Sequence, residues 1–479
     1  VEITPLRSQY DVIISGAGIV GCGAALRLAE RGWRVLLVER NRSLPKHLAG
    51  ELFHPPGVEQ LRALGVIDSL LDHSAQSVYG FAVYRGPGQD PIHLRYAEVP
   101  NSSSRGLGIH HSQIVRVLRD RAAQNPLIHL RYAKVNDVLR DPDGRVVGVT
   151  LRDGADADVA ARARLVLAAD GRHSRLRDLL GLKFTKRFIS YSLALTLPNA
   201  CLPHPGYGHV MLGMPAPALA YPISATEARI LIDVPVDPGT KLQPIIDFAV
   251  ARSLPFLPPA LRDQAFTAIR DARSQILLAP NHAISTRGCV VPGAALLGDA
   301  AGCTHPLIAS GMTIAVNDVA ELNRALDEER DLDRALALFE RRRYRFVRAR
   351  EMLADALYES FVGDRPGRVA IQTGIFDYWA SSPMGRAWSM GLLSCATSDP
   401  LIFVREYLHV AAASVLSVAS GRAPFKGIFQ RANAIAGVAL ESFDKLGLFL
   451  SMMNQGMITP SDPLPSPPPQ PSSSTRDAA

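Results

Sequence analysis

The chain of 479 residues is 47% hydrophobic and 20% charged, with a formal net charge of +7. That balance excludes disorder throughout, and a mean hydropathy of +0.07 excludes a polytopic membrane protein. The positive charge is almost all arginine, since only seven lysines occur. It suits an anionic lipid, a nucleotide phosphate or an acidic redox partner. No basic segment carries the aromatic interleaving of a strand-binding surface, so nucleic acid is not an expected partner. Cys22, Cys201, Cys289, Cys303 and Cys395 are odd in number, scattered and free of C-x-x-C spacing. This argues against a disulfide framework and against a zinc or iron–sulfur site, so no metal is expected. Residues 1–7 show no apolar core of a secretory signal, and a reducing, cytosolic setting is expected.

Residues 11–16 (DVIISG) read as a buried strand, 19–31 as an Ala/Leu-rich helix and 34–39 as a second strand. Gly16-Ala17-Gly18-Ile19-Val20-Gly21 fills the turn between strand and helix as G-x-G-x-x-G. Gly16 permits the tight turn, Gly18 lets a pyrophosphate approach the backbone, and Gly21 lets helix and strand pack closely. The helix start supplies N–H groups and partial positive charge. Glu39 ends the second strand, where a carboxylate accepts from ribose hydroxyls and repels a 2′-phosphate. The motif alone does not separate FAD from NAD.

Segments 78–84 and 228–235 alternate apolar and polar and predict strands of an antiparallel sheet. Residues 164–181 place Asp170-Gly171 after an apolar strand, ahead of a short helix that Ser174 can cap. Residues 294–312 repeat the pattern: strand, Gly298-Asp299, Pro306 in a turn, then a helix from about Gly311. Asp299 can accept from a ribityl hydroxyl, and the helix dipole at Gly311 can stabilise the N1 anion of a reduced flavin. Three such fragments in this order point to a flavoprotein hydroxylase. Leucines and phenylalanines at spacings of three, four and seven predict a long helix over 332–362. Its run 341–350 (RRRYRFVRAR) holds six arginines and reads first as a solvated face, second as a lipid or reductase contact. Residues 401–418 are apolar but interrupted by Arg405, Glu406 and His409, which suits a helix lying in a membrane interface, with Arg422 and Lys426 near headgroups. Seven prolines in 460–479 predict a disordered tail.

Gly50-Glu51 with Pro55 to Gly57, His110-His111 and the segments 222–233, 298–313 and 391–402 carry a family resemblance. Over residues 10 to 455 the chain resembles the squalene epoxidases (squalene monooxygenases), within the single-component FAD monooxygenases. Segment 391–402 is the most specific, because general flavin hydroxylases lack it. The resemblance implies an α/β fold: a Rossmann-type FAD-binding domain (8–45, 105–182, 285–330), an antiparallel-sheet substrate domain (46–104, 183–284) and a C-terminal helical, membrane-associating region (331–458). The tail would occupy 459–479. It implies FAD contacts at Ile19, Val20, Glu39, Arg40, Val135, Asp299 and Met312. Two family arginines at the flavin fall here on His47 and Gln113, and Gln113 can still donate. Around the substrate, His54 stands for a Gln, Phe81 for a Tyr, and Ala309 and Ser310 for glycines.

The activity implied by the resemblance is that of an FAD-dependent epoxidase. It would take NAD(P)H-derived electrons directly or through a separate reductase, and O₂, and act through a flavin C4a-hydroperoxide on a large lipophilic isoprenoid. The cofactor carries that chemistry, so no catalytic side chain is named. Such an enzyme would sit peripherally on the cytoplasmic side of a membrane. Phe81 cannot donate to His54, which predicts an imidazole in need of another partner, and hence a substrate with a polar atom: a prenylated aromatic such as a farnesylated quinoline, over squalene. Squalene epoxidation proper, a membrane flavoprotein reductase of prenyl chains and a flavin-binding protein without turnover are the alternatives.

Overall fold

The computed structural model describes residues 9–152, 158–213, 215–271, 276–362 and 364–454. The predicted tail at 459–479 lies outside them. The strands Tyr10–Ser15, Val35–Glu39, Ile128–Tyr132 and Ala294–Leu296 and the end of Val159–Ala168 form a parallel sheet. Runs such as VIIS, VLLV and LVLA are buried on both faces, which is why they read as continuous apolar stretches without alternation. Helix Ile19–Glu30 packs between helices His111–Ala123 and Gly311–Glu328 on one side of this sheet.

The second sheet runs, in order, Gly302–Cys303, Ile276–Thr286, Phe184–Pro198, Glu227–Val234, Ala218–Pro222, Gly208–Met211, Gly80–Tyr84 and Ile92–Arg95. All its pairings are antiparallel except that of Gly208–Met211 with Gly80–Tyr84. Period-two alternation sorts its side chains. Leu193, Leu195, Ile230, Ile232 and Ala82 pack under helices Leu242–Phe248 and Pro259–Arg270. Phe81, Val83, Leu94, Leu219 and Tyr221 face the other way, toward the C-terminal helices.

Those helices are Leu332–Val362, Pro366–Ser381, Pro383–Leu393, Pro400–Ala419 and Ile428–Asn454. Small residues bring them together. A Cβ on Gly367 would lie 2.5 Å from the Gly437 backbone, and one on Gly374 would lie 2.1 Å from Ser414 Oγ. Among the described residues, Pro400–Ala419 is the one helix long and apolar enough to cross a membrane. It turns part of its charge inward: Glu406 is buried, 2.9 Å from Arg405 and accepting at 2.8 Å from the Tyr378 hydroxyl.

Two sequence expectations need correction. The first is the solvated face at 341–350. Arg343 and Arg350 are buried, because they fall seven residues apart on the inward side of a helix that is wrapped at both heights. The second is the boundary at residue 46. Phe53, Val58, Leu61 and Leu70 fill the core under the nucleotide sheet, since helix Pro55–Ala63 packs on Gly311–Glu328. The chain reaches the second sheet only from about residue 80.

Candidate active site

The first turn is built as its glycines predict. Gly16 has φ +100°, and a Cβ there would meet the Ala169 carbonyl oxygen at 2.4 Å. A Cβ on Gly21 would lie 1.8 Å from the Gly16 carbonyl oxygen, while one on Gly18 would meet nothing within 4 Å. The middle glycine thus leaves room for a ligand and the outer two serve packing. Glu39 Oε2 accepts from the Ala17 N–H at 2.9 Å and lies 3.1 Å from Arg119, while Oε1 accepts from the Asn41 N–H at 2.8 Å. Oε1, with a single donor, keeps a lone pair for a ribose hydroxyl. Arg119 also donates to the Ala17 carbonyl at 2.8 Å and is buried. Sequence reading missed it, although an arginine on the apolar stripe Val115, Leu118, Ala122 was a visible signal.

A cavity of about 1050 Å³ begins here and runs to the second sheet. Gly16, Gly18, Ile19, Val20, Glu39, Arg40, Val135, Asp170, Asp299, Gly311 and Met312 all border it, as do His47 and Ala309. Gly21 stands behind it in the helix. Gln113 also lies off its wall, with Oε1 buried and unpartnered among the described residues. Asp170 accepts from Ser174 Oγ at 2.5 Å and from the Arg175 and Leu176 N–H groups at 2.9 and 3.2 Å; Ser174 in turn caps its helix by accepting from the Arg177 N–H at 3.0 Å. Asp299 exposes 42% of its side chain, toward this cavity. The low-polarity surroundings raise its carboxyl above the usual range, with Arg172 at 3.8 Å opposing.

The turn carrying Asp299 is held from below. Asp318 Oδ2 accepts from the Gly298 N–H at 2.8 Å and from Arg343 Nε at 2.9 Å. Helix Gly311–Glu328 then presents its N-terminus to the cavity at Gly311 and Met312. Opposite, a Cβ on Gly50 would strike the Met312 side chain at 2.7 Å, so residue 50 must be small. Glycine cradle, ribose acceptor, Asp170, Asp299 and helix start share one cavity, and together they fit an FAD.

Farther in, the walls change character. Arg229 donates to both oxygens of Glu51 at 2.8 Å, and both residues are buried. Asp233 collects Ser190, Asn281, His305 and Tyr358. His305 Nδ1 accepts from the Leu307 N–H at 3.1 Å, which leaves Nε2 to donate to Asp233 at 3.0 Å. Leu219 and Ala309 separate the large cavity from a smaller apolar one of about 50 Å³, bordered by Phe81, Leu357, Phe361 and Trp379. His54 and Ser310 border neither. Ser310 is buried at the start of helix Gly311–Glu328.

His54 corrects the expectation of an imidazole left wanting. It is fully buried, its Nε2 donates to the Ile308 carbonyl at 2.9 Å, and its Nδ1 accepts from the Tyr96 hydroxyl at 2.8 Å. Burial lowers its pKa to about 4, so the ring is neutral near pH 7. Tyr96 lies on a short turn after strand Ile92–Arg95, and sequence spacing gave no sign that it would replace the missing phenol.

The fold and this cavity define an FAD-dependent monooxygenase. A profile of FAD-dependent oxidoreductases matches residues 11–66, and that of squalene epoxidase matches residues 162–429. Squalene epoxidase 2, mitochondrial, of Arabidopsis thaliana is 32% identical over 440 residues, covering 89% of this chain and 73% of its own. Squalene epoxidase erg1 of Schizosaccharomyces pombe is 31% identical over 389 residues, covering 77% of this chain and 82% of its own. The chain belongs to the squalene epoxidase family. Its fold is shared with p-nitrophenol 4-monooxygenase from Pseudomonas putida DLL-E4 (TM-score 0.69, 20% identity, 81% of this chain and 99% of that one). It is shared also with the myxobacterial chondrochloren halogenase (TM-score 0.63, 21% identity, 75% and 84%).

Proposed function

We propose that this protein epoxidises a carbon–carbon double bond of a large lipophilic isoprenoid. One observation carries the reading: the nucleotide cavity continues, past Leu219 and Ala309, toward an apolar chamber whose neighbouring polar groups are already paired. FAD, when bound, supplies oxygen activation from O₂ and NAD(P)H-derived electrons. The chain's own residues do the rest. Glu39, Asp170 and Asp299 would hold the cofactor's polar groups, the N-terminus of helix Gly311–Glu328 would favour negative charge beside it, and the apolar walls exclude water. Phe81 and Leu219 position the alkene. The electrons arrive directly or through a separate reductase.

A prenylated aromatic and squalene itself both suit apolar walls of this kind. The paired His54 removes its argument for a polar atom on the substrate. The decisive experiment is product mass spectrometry under ¹⁸O₂ with squalene and with a farnesylated quinoline. One ¹⁸O atom in an epoxide, or in its rearrangement product, is expected from one of the two. Saturation of the prenyl chain without O₂ uptake would instead identify a prenyl reductase.

A membrane surface suits the same reading. Phe429, Leu440, Phe443 and Leu450 on the last helix are 88, 67, 71 and 50% exposed and fall within roughly a third of its circumference at about 100° per residue. We place the contact on this face, on the cytoplasmic side, with Lys426 and Arg422 near it. Co-sedimentation with anionic liposomes is expected, and to be lost on replacing Phe429 and Phe443 by Ser. Wild-type protein that stays in the supernatant would remove the membrane contact.

A further inference from the structure

Arg343 and Arg350 lie two turns apart on one helix, both are buried, and both border the large cavity. Arg343 has its carboxylate, Asp318, at 2.9 Å. Arg350 has none: among the described residues no Asp or Glu comes within ion-pair distance of it. It is 1% exposed. Its Nη2 donates to the Thr397 carbonyl, and Nε and Nη1 have no acceptor among the described residues. The Phe346 ring lies 5.5 Å away. The ionisable groups it acts on are Cys395, whose buried thiol is pushed above its ordinary range and stays neutral, and His54, whose buried ring is neutral near pH 7.

A guanidinium cannot shed its proton as a buried lysine can. Burying it unpaired is costly, and mutual attraction recovers that cost only when an anion with good geometry is present. The described residues do not supply that anion, and the side chain stands on the wall of the ligand cavity. We propose that Arg350 receives an anionic oxygen of the substrate, so that the alkene belongs to an isoprenoid with an acidic end group (a carboxylate, phenolate or enolate) and not to a plain hydrocarbon. This rests on the isoprenoid reading above and narrows it.

The placement also orients the ligand. Leu357 and Phe361 border the apolar chamber seven and eleven residues farther along the same helix, about 10 and 16 Å at the helical rise. An acidic head at Arg350 sends a prenyl tail of a few isoprene units toward Phe81, Phe361 and Trp379. Ala309 stands between, bordering both spaces, where a double bond passes the start of helix Gly311–Glu328.

The test uses farnesoic acid and methyl farnesoate as probes, titrated calorimetrically into the purified holoenzyme at pH 7.5. The wild type should bind the acid at least tenfold more tightly than the ester. Arg350→Met should bring the two within threefold of each other with the FAD content unchanged, and Arg350→Lys should keep part of the preference. A wild type that binds the ester as well as the acid overturns the proposal, and this arm needs no variant to fold. A preference that survives Arg350→Met overturns it too. If in addition the flavin midpoint potential shifts in that variant, the anion is a flavin oxygen and not a substrate oxygen. Calorimetry reads both probes whether or not flavin is bound, so a colourless protein would remove the oxygenase reading and leave this comparison standing.

Discussion

The two ends of the cavity treat polar side chains in opposite ways. At the nucleotide end, Glu39 and Asp170 are steadied by neighbours and Asp299 lies 3.8 Å from Arg172, yet all three border the cavity. At the other end, Glu51 closes on Arg229, Asp233 on His305 and Tyr358, and His54 on Tyr96 and Ile308. One end is made to be completed by a polar ligand and the other to offer none. That difference is what an oxygenation site requires, since water beside a reactive oxygen donor diverts it. Arg350 is the exception at the dry end.

The largest effect is expected where the dry wall is tied together. Arg229→Met leaves Glu51 buried without its partner and should cost about 3–5 kcal/mol in chemical denaturation. A loss below about 1 kcal/mol would show that water reaches Glu51, and the contrast between the two ends would fail. Asp299→Ala acts at the other end. It should weaken FAD binding by roughly 1.5–3 kcal/mol, because a hydroxyl loses a charged acceptor, and should barely alter the unfolding of the apoprotein. A flavin fluorescence titration reads the first quantity and urea unfolding the second. Equal losses in both would make Asp299 structural.

His54 carries the contrast into pH. Its folded pKa is about 4 and that of the unfolded chain is near 6.5, so the unfolded state binds more protons between these values. Stability from this group is complete above pH 6.5 and falls as the pH drops toward 4. Between pH 7.5 and 5.0 the wild type should lose about 2 kcal/mol through His54, at about 1.4 kcal/mol per unit below 6.5. His54→Gln should flatten the profile by that amount, while His209, lowered to about 4 by its own burial, acts alike in both proteins. Identical profiles would mean that the imidazole is protonated in place and the pocket is wet.

The nucleotide end was legible in the sequence because its parts are local. The glycine turn, Glu39 and the Gly298-Asp299 turn each stand at or just past the end of a strand, and the strand register places them. The dry end is made by pairs far apart in the chain: Glu51 with Arg229, His54 with Ile308, Asp233 with His305. No periodicity encodes such meetings. An arginine run at helical spacing looks the same whether one face turns inward or not, so Arg343 and Arg350 read as solvent-facing. Phe81 could be placed on its strand, but that Tyr96 would serve His54 depended on how strand Gly80–Tyr84 pairs with Ile92–Arg95.

The smallest expected effect sits on the border between the two ends. Ala309 has φ +49° and ψ +23°, the left-handed region, at the close of the turn Pro306–Ile308. An L-residue with a Cβ pays about 1 kcal/mol there that glycine does not. The methyl also packs against the apolar cluster around Phe81 and Leu219, so the strain holds a wall in place. Ala309→Gly should therefore raise the stability of the apoprotein by only about 0.5 kcal/mol, because the greater freedom of glycine in the unfolded chain offsets about half of the relief. It should also thin the partition between the large cavity and the apolar chamber, loosening the grip on an alkene passing it. Stability from urea unfolding and uncoupled peroxide release per O₂ consumed are the two measurements. Both should rise. A variant that is less stable than the wild type would mean that the methyl's packing outweighs the backbone strain. In that case residue 309 belongs to the dry wall proper, and the border between the two ends lies nearer Gly311.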